Sequence, residues 1–324
     1  MMTFHGYLPA LDSAQIPATL SHKVMSSLLR DELKFDGLLI TDAMDMGGVV
    51  NNFGGLEASK RAIAAGADIL LMPTDIPGSI EAVVAGVAEG RYTEARIDAS
   101  VRRVLALKHR FGLNHQRTVP LERVRQVVGD PAHAASALRL AEKSFVLVRD
   151  SGGVVPVASA TRKPATFSIT YARRNELSAG THFNSELRRG VGALRQAYVN
   201  ADDPAPNNDR VIADAGQADV IVVGSYVNIS SETATAEAPR AFADLIARLM
   251  QTGKPVVLIS FGTPYLLNQV PSVRSYAVAW GGSPASQMAA ARALLGEIPI
   301  SAKLPTSIPP YVRIGAGEER RTGQ

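Results

Sequence analysis

Gly37-Leu38-Leu39-Ile40-Thr41-Asp42-Ala43-Met44-Asp45-Met46 is the stretch from which the rest of the chain is read. Three consecutive apolar residues, Leu38, Leu39 and Ile40, show no polar alternation, the pattern of a strand buried on both faces. Asp42 falls where such a strand leaves its sheet. In parallel α/β folds the carboxyl ends of strands are where ligands bind and where reactive side chains project. Position alone leaves two readings of this carboxylate: a group that does chemistry, or an N-cap for the segment that follows.

Working outward, the neighbouring segments alternate between strand and helix. Met2 to His5 reads as the end of a short strand, and Gly6 to Pro17 as a loop with Pro9, Asp12 and Pro17 at its turns. Ser21 is positioned to cap a helix carrying Val24, Met25, Leu28, Leu29 and Leu33 at helical spacing. Beyond Asp42 a Gly-rich loop is expected through Gly55, then a helix through Ala58, Ala62 and Ala65 that stops at Gly66. Ala67 to Met72 reads as a second buried strand, Ile80 to Glu89 as a helix, and Glu94 to Phe111 as an amphipathic helix with Ile97, Val101, Val104, Leu105 and Leu107 on one side. This order is that of parallel βαβ units.

Asn114 to Pro131 is polar and proline-punctuated, with room for a short helix around Leu121 to Val128. A second α/β pattern follows. Phe145 to Val148, Ala165 to Tyr171, Val220 to Val223, Val256 to Ile259 and Ser275 to Trp280 read as strands. Helices are expected at Ala134 to Glu142, Leu187 to Leu194, Ala241 to Met250 and Ala285 to Leu295. These pieces predict a three-layer αβα sandwich of about 170 residues, an ordinary domain size. Gly315 to Gln324 is polar and expected to fray.

Composition narrows the function classes. The chain has 324 residues, 46% hydrophobic and 20% charged, which suits folded domains with sizeable cores. A net charge of +4 without a basic, aromatic-interleaved stripe argues against nucleic acid. The absence of cysteine excludes disulfides and thiolate metal sites. No run approaches the ~18 apolar residues of a membrane span. Gly47-Gly48 and Gly54-Gly55 lack the spacing of a dinucleotide fingerprint, and neither cofactor nor metal is expected. The first residues carry no export pattern, yet this start is expected to lie inside a longer fold, which leaves localisation open.

The ordered motifs resemble glycoside hydrolase family 3, in its two-domain β-N-acetylhexosaminidase-like branch. Met2-Thr3-Phe4-His5 with Leu8-Pro9-Ala10-Leu11-Asp12, then Pro17-Ala18-Thr19-Leu20-Ser21, then Phe35-Asp36-Gly37 leading into Thr41 to Met46, follow the family's order. Ala65 to Met72, Ser100 to Lys108, and Lys303-Leu304-Pro305 with Ser307-Ile308-Pro309 continue it, with Ala302 and Thr306 departing from the usual Gly and Val. The resemblance implies an α/β chain with a partial (β/α)8 TIM barrel of about three βα units. Residues 1–113 would be the closing part of that barrel, 114–142 a linker, 143–310 the αβα sandwich and 311–324 a polar tail. It further implies retaining hydrolysis of a β-linked carbohydrate with Asp42 as nucleophile, and His5 and Met44 beside the sugar. On the residues alone, His5 reads equally as a hydrogen-bonded histidine of the barrel mouth, and Met44 as a packing side chain. Asp45 reads as a loop or capping carboxylate, and Asp68 as structural.

What the sequence lacks matters as much. A (β/α)8 barrel takes ~250 residues, and the segments before the linker hold only the last three strands. The family's Lys-His sugar-binding segment and its Asp-His acid/base loop have no counterpart in residues 1–324. His22, His109, His115 and His133 read as surface histidines, and Glu232 and Glu237 as the sandwich's only candidate acids, each with solvation as its plain alternative. Three readings stay open: a β-N-acetylhexosaminidase-like part that needs a chain supplying the missing barrel half, the same enzyme class acting on a β-glucoside, and a non-catalytic sugar-binding remnant.

Overall fold

The computed structural model describes residues 1–159, 161–203, 207–227 and 238–322. The chain divides into two compact units, Met1–Val124 and Arg125–Gln324.

In the first unit, strand β1 (Ile40–Ala43) pairs in parallel with β2 (Ile69–Leu71), and Met2 adds a parallel bridge to Ile40. β1 begins two residues later than the apolar run predicts, so Asp42 lies within the strand. The reason is a side chain: the Leu39 N–H donates to the Asp68 carboxylate at 2.9 Å, while the Leu39 carbonyl accepts from the Asp68 and Ile69 N–H groups. The β1–β2 register shifts between Ile40 and Ala43, where Thr41 Oγ1 accepts the Leu71 N–H at 2.9 Å.

Helical turns Ala18–Leu20 and Lys23–Glu32 precede β1; the N-cap of the second is His22 rather than the expected Ser21, whose Oγ nevertheless accepts the Val24 N–H at 3.3 Å. Helices α1 (Gly47–Phe53) and α2 (Gly55–Ala65) follow, so much of the expected Gly-rich loop is a helix; Met46 at its N-cap is extended, and Gly54 at φ +71° turns the chain into α2. α3 (Ile76–Ala88) and α4 (Glu94–Arg110) complete the unit. Its core gathers Leu20, Met25, Leu39, Met44, Val49 and Ala58, Ala62 and Ala65 of α2.

The apolar side of α4 does not join that core. Val101 is 48% exposed and Leu105 57%, as are Ile80 and Val84 of α3 at 61% and 66%. Arg96, Ser100 and Arg103, successive residues on one helical stripe, turn inward instead to bind Asp68.

In the second unit, α5 (Leu121–Val127), which begins in the first, and α6 (Pro131–Ser144) lead to β3 (Val146–Asp150). The remaining strands are β4 (Ala165–Ala172), β5 (Ala193–Asn200), β6 (Val220–Ser225), β7 (Val256–Ser260) and β8 (Ser275–Val278). They form one six-stranded sheet in the order β3-β8-β7-β6-β4-β5, parallel except for β3. Helices α7 (Thr181–Leu187) and α10 (Pro284–Leu294) go with one buried cluster, and α8 (Asp209–Ala215) and α9 (Arg240–Gln251) with the other, giving three αβα layers.

Two expectations are corrected here. Leu187 to Leu194 is not a helix: α7 ends at Leu187, and Ala193–Asn200 is the edge strand β5, whose exposed Arg195 and Gln196 hide the apolar run that marks the central strands. The tail does not fray over its described residues. Glu318 N–H donates to the Leu147 carbonyl at 2.7 Å, Ile300 and Arg320 exchange backbone bonds at 2.9 Å, and the Arg320 guanidinium lies 2.8 Å from Asp150.

Candidate active site

Asp42 is part-exposed on β1, and one carboxylate oxygen accepts the Ala43 N–H at 2.8 Å. The other oxygen has no protein partner among the described residues. The strand beneath it is fixed from both sides. On one side His5 Nε2 donates to the Ala43 carbonyl at 2.9 Å, since a carbonyl can only accept. His5 Nδ1 faces Thr19 Oγ1 at 3.0 Å, and Thr19 Oγ1 also meets Thr3 Oγ1 at 2.8 Å and the Phe4 carbonyl at 3.0 Å.

On the other side stands Asp68, whose side chain is fully buried. It accepts from the Leu39 N–H, from Arg30 at 2.8 Å, from Arg103 at 3.1 Å and from the Ser100 hydroxyl. Burial pushes this carboxyl up, but the Ser100 and Leu39 hydrogen bonds and the Arg103 and Arg30 charges outweigh it and hold the group below the usual carboxylate range. The segment entering the first helical turn, the helix Lys23–Glu32 and α4 are thereby tied to the strand that carries Asp42.

Met44 is 1% exposed and packs with Leu20, Met25 and Val49; its N–H donates to the Leu71 carbonyl, which sets the backbone direction that buries it. His5 has both ring nitrogens hydrogen-bonded within the chain, to Thr19 and to the Ala43 carbonyl. Asp45, His22, His109, His115 and His133 are exposed. Glu232 and Glu237 lie outside the described residues. Thr3 and Thr19 were not singled out by sequence. The available signal was a lone hydroxyl within the apolar Pro17-Ala18-Thr19-Leu20 run, which must find partners once buried. Among the described residues no group of three His, Asp or Glu side chains could hold a metal ion.

Because Thr19 serves three partners from a fully buried position, Thr19→Val is expected to cost about 1–3 kcal/mol. Chemical denaturation of the first unit, followed by hydrogen exchange at Thr3 to His5, measures it; an unchanged midpoint would show that the hydroxyl cluster does not hold the segment.

A family model described as the glycosyl hydrolase family 3 N terminal domain matches residues 1–107, and one described as the glycosyl hydrolase family 3 C-terminal domain matches residues 75–320. A beta-N-acetylglucosaminidase/beta-glucosidase of Cellulomonas fimi is 28% identical over 326 residues, covering 94% of this chain and 57% of that protein. A lysosomal beta glucosidase of Dictyostelium discoideum is 28% identical over 347 residues, covering 91% of this chain and 40% of that protein. Among solved structures, a family 3 beta-N-acetylglucosaminidase from Paenibacillus sp. str. FPU-7 superposes with a TM-score of 0.71 at 27% identity, covering 92% of this chain and 56% of the other. The chain thus spans about half the length of the curated relatives it matches. With both domain models matched in order and the strand bearing Asp42 inside the first, the chain belongs to glycosyl hydrolase family 3.

Proposed function

We propose that this chain is the closing part of a retaining β-glycosidase barrel, about residues 1–113, followed by a linker at 114–142 and a sandwich domain at 143–310. Its substrate would be a terminal β-linked N-acetylhexosamine, with Asp42 as the nucleophile. The observation that carries the reading is Asp42 itself, a carboxylate with one unspent oxygen on a strand anchored by His5 and Asp68. Such an anchored group can approach an anomeric carbon without reorganising its backbone. His5 is a positioning residue here, holding the Ala43 carbonyl and through it the strand end.

A retaining mechanism also needs a proton donor across the scissile oxygen, ~5–5.5 Å from the nucleophile where both are carboxyl groups. His5 has both nitrogens committed and cannot be that donor. The acid, and the recognition of the sugar, are assigned to barrel segments outside residues 1–324, so the chain alone is expected to be inactive. A β-glucoside is the second substrate reading, favoured by the double activity named for the Cellulomonas fimi relative.

The test uses aryl N-acetyl-β-glucosaminide and aryl β-glucoside side by side. The isolated chain should turn over neither. Fusing the preceding barrel strands of the Cellulomonas fimi relative ahead of Met1 should give turnover that Asp42→Asn lowers on the order of 10³-fold or more. Turnover by the fusion that survives Asp42→Asn would remove Asp42 from the mechanism. Turnover by the isolated chain would refute its dependence on the missing strands.

A further inference from the structure

The second unit contains a basic pocket that the glycosidase reading does not use. It has a volume of about 500 Å³ and lies at the amino ends of β7 and β8, where Lys254 and Arg274 line it with Ser272, Val154 and Met250 among others. Ligands of parallel α/β sheets usually sit at the carboxyl ends of the strands, so this pocket is at the opposite end of the sheet. The parallel register pairs Val257 with Ser275, which brings the approach to β7 (Lys254, Pro255) beside the approach to β8 (Ser272, Arg274). The end of α9 and the turn after β3 close the remaining sides.

Charge sets the pocket apart from ordinary surface. No Asp or Glu lines it, and neither the Lys254 nor the Arg274 side chain has an ion pair or hydrogen bond among the described residues. Two like charges lining one cleft without a counter-ion create a positive potential that its low-dielectric walls concentrate. The walls are also fixed from behind. The Arg149 guanidinium donates to the Pro271 and Val273 carbonyls at 2.8 and 2.5 Å, which braces the turn carrying Ser272. The Ser151 N–H donates to the Arg274 carbonyl at 3.1 Å, and the Ile221 N–H to the Pro255 carbonyl at 2.9 Å. At the end of α9 the Leu249 and Met250 carbonyls already accept the Thr252 and Gly253 N–H groups, so the helix end turns less negative charge on the pocket.

Val154, Met250, Pro255 and Val256 give the same pocket an apolar side. A ligand that matches both sides is an anion carried on an apolar body. A phosphate monoester suits the cations better than a carboxylate does. It carries about −1.5 to −2 charge near neutral pH and three acceptor oxygens, against two cations and the Ser272 hydroxyl. A neutral sugar would answer neither charge. We propose that this pocket binds a small organic phosphate monoester, with Lys254 and Arg274 on the phosphate and Val154 and Met250 against its apolar group. The site is built without any residue of the first unit and does not depend on Asp42 or on hydrolysis.

The full chain is titrated with phenyl phosphate, inorganic phosphate, benzoate and phenol, by calorimetry and by amide chemical shifts at one low ionic strength. Phenyl phosphate is expected to bind saturably and roughly tenfold more tightly than inorganic phosphate or benzoate, with shifts at Gly152, Lys254 and Arg274, while phenol does not bind. Lys254→Gln and Arg274→Gln should each weaken it roughly tenfold. Neither side chain has a partner among the described residues, so both replacements keep the fold. Arg188 is an exposed cation outside the pocket, and Arg188→Gln should change nothing. Equal weakening by Arg188→Gln would mark a response to net charge alone and refute the site. So would the absence of saturable binding, tighter binding of benzoate, or no preference for phenyl phosphate over inorganic phosphate or phenol.

Discussion

Asp150→Ala is expected to destabilise the second unit by about 3–5 kcal/mol, as removing one partner of a buried ion pair does. The Asp150 side chain is fully buried and accepts four hydrogen bonds, from the Val154 and Val155 N–H groups at 3.0 Å, from the Ser275 hydroxyl at 2.6 Å and from Arg320 at 2.8 Å. Its loss leaves the Val154 and Val155 N–H groups without an acceptor and takes from the Arg320 guanidinium its buried carboxylate, leaving it Glu318 at 2.9 Å and the Val155 carbonyl at 2.9 Å, which costs more than the pair's net worth. It also releases the final segment from β3, where the Asp150 N–H donates to Glu318 at 2.7 Å. Ending the chain after Ala316 should therefore reproduce much of the loss. Urea denaturation with hydrogen exchange at Val146 to Asp150 reads both. If exchange at β3 is unchanged in both variants, the network is not what holds the last residues down.

Asp68→Ala is expected to have a comparable effect on the first unit, again about 3–5 kcal/mol. Three arginines, Arg30, Arg96 and Arg103, converge on this one carboxylate, and without it they face each other in a poorly hydrated space. Protection should collapse in α4 and at Leu39 while the six-stranded sheet keeps its own. A uniform loss across both units would contradict this localisation.

Both carboxyls also predict how stability follows pH. Burial raises Asp150, but Ser275, the Val155 and Val154 N–H groups and Arg320 together bring it below its ordinary value, as the partners of Asp68 do for that group. A folded-state value below the unfolded one, about 3.9 for Asp, means the contribution is complete above that pH. It is lost as pH falls through the depressed folded value. Acid titration of stability should therefore steepen below about pH 4, and Asp150→Asn and Asp68→Asn should each flatten that fall while lowering stability at neutral pH.

The legible parts of the fold were those written as local patterns. Val220 to Val223 and Val256 to Ile259 are buried on both faces, and a continuous apolar run can be read from neighbours alone. β5 escaped because an edge strand keeps one side in water, so Arg195 and Gln196 interrupt its apolar residues and no period stands out. α4 misled in the opposite way. Its apolar stripe was legible, but a stripe states only what would gain from burial, and in this chain polar Ser100 and two arginines take the inward face because Asp68 is there to receive them.

At the candidate site the same division holds. The Thr41-Asp42-Ala43-Met44 motif placed a carboxylate on a strand from sequence alone. Whether Met44 faced a pocket depended on a backbone bond to Leu71, which no local pattern encodes. The commitment of both His5 nitrogens likewise depended on Thr19 and Ala43 arriving from 14 and 38 residues away.

The sequence by itself determined the strand runs, the order of the family's motifs and the presence of Asp42 among them, because burial periodicity and motif spacing are properties of adjacent residues. Only the tertiary structure decided which acids are structural hubs, since Asp150 meets Ser275 and Arg320 across 125 and 170 residues of chain. A buried carboxylate is tolerable only when such partners are delivered to it, and delivery is a matter of register and packing.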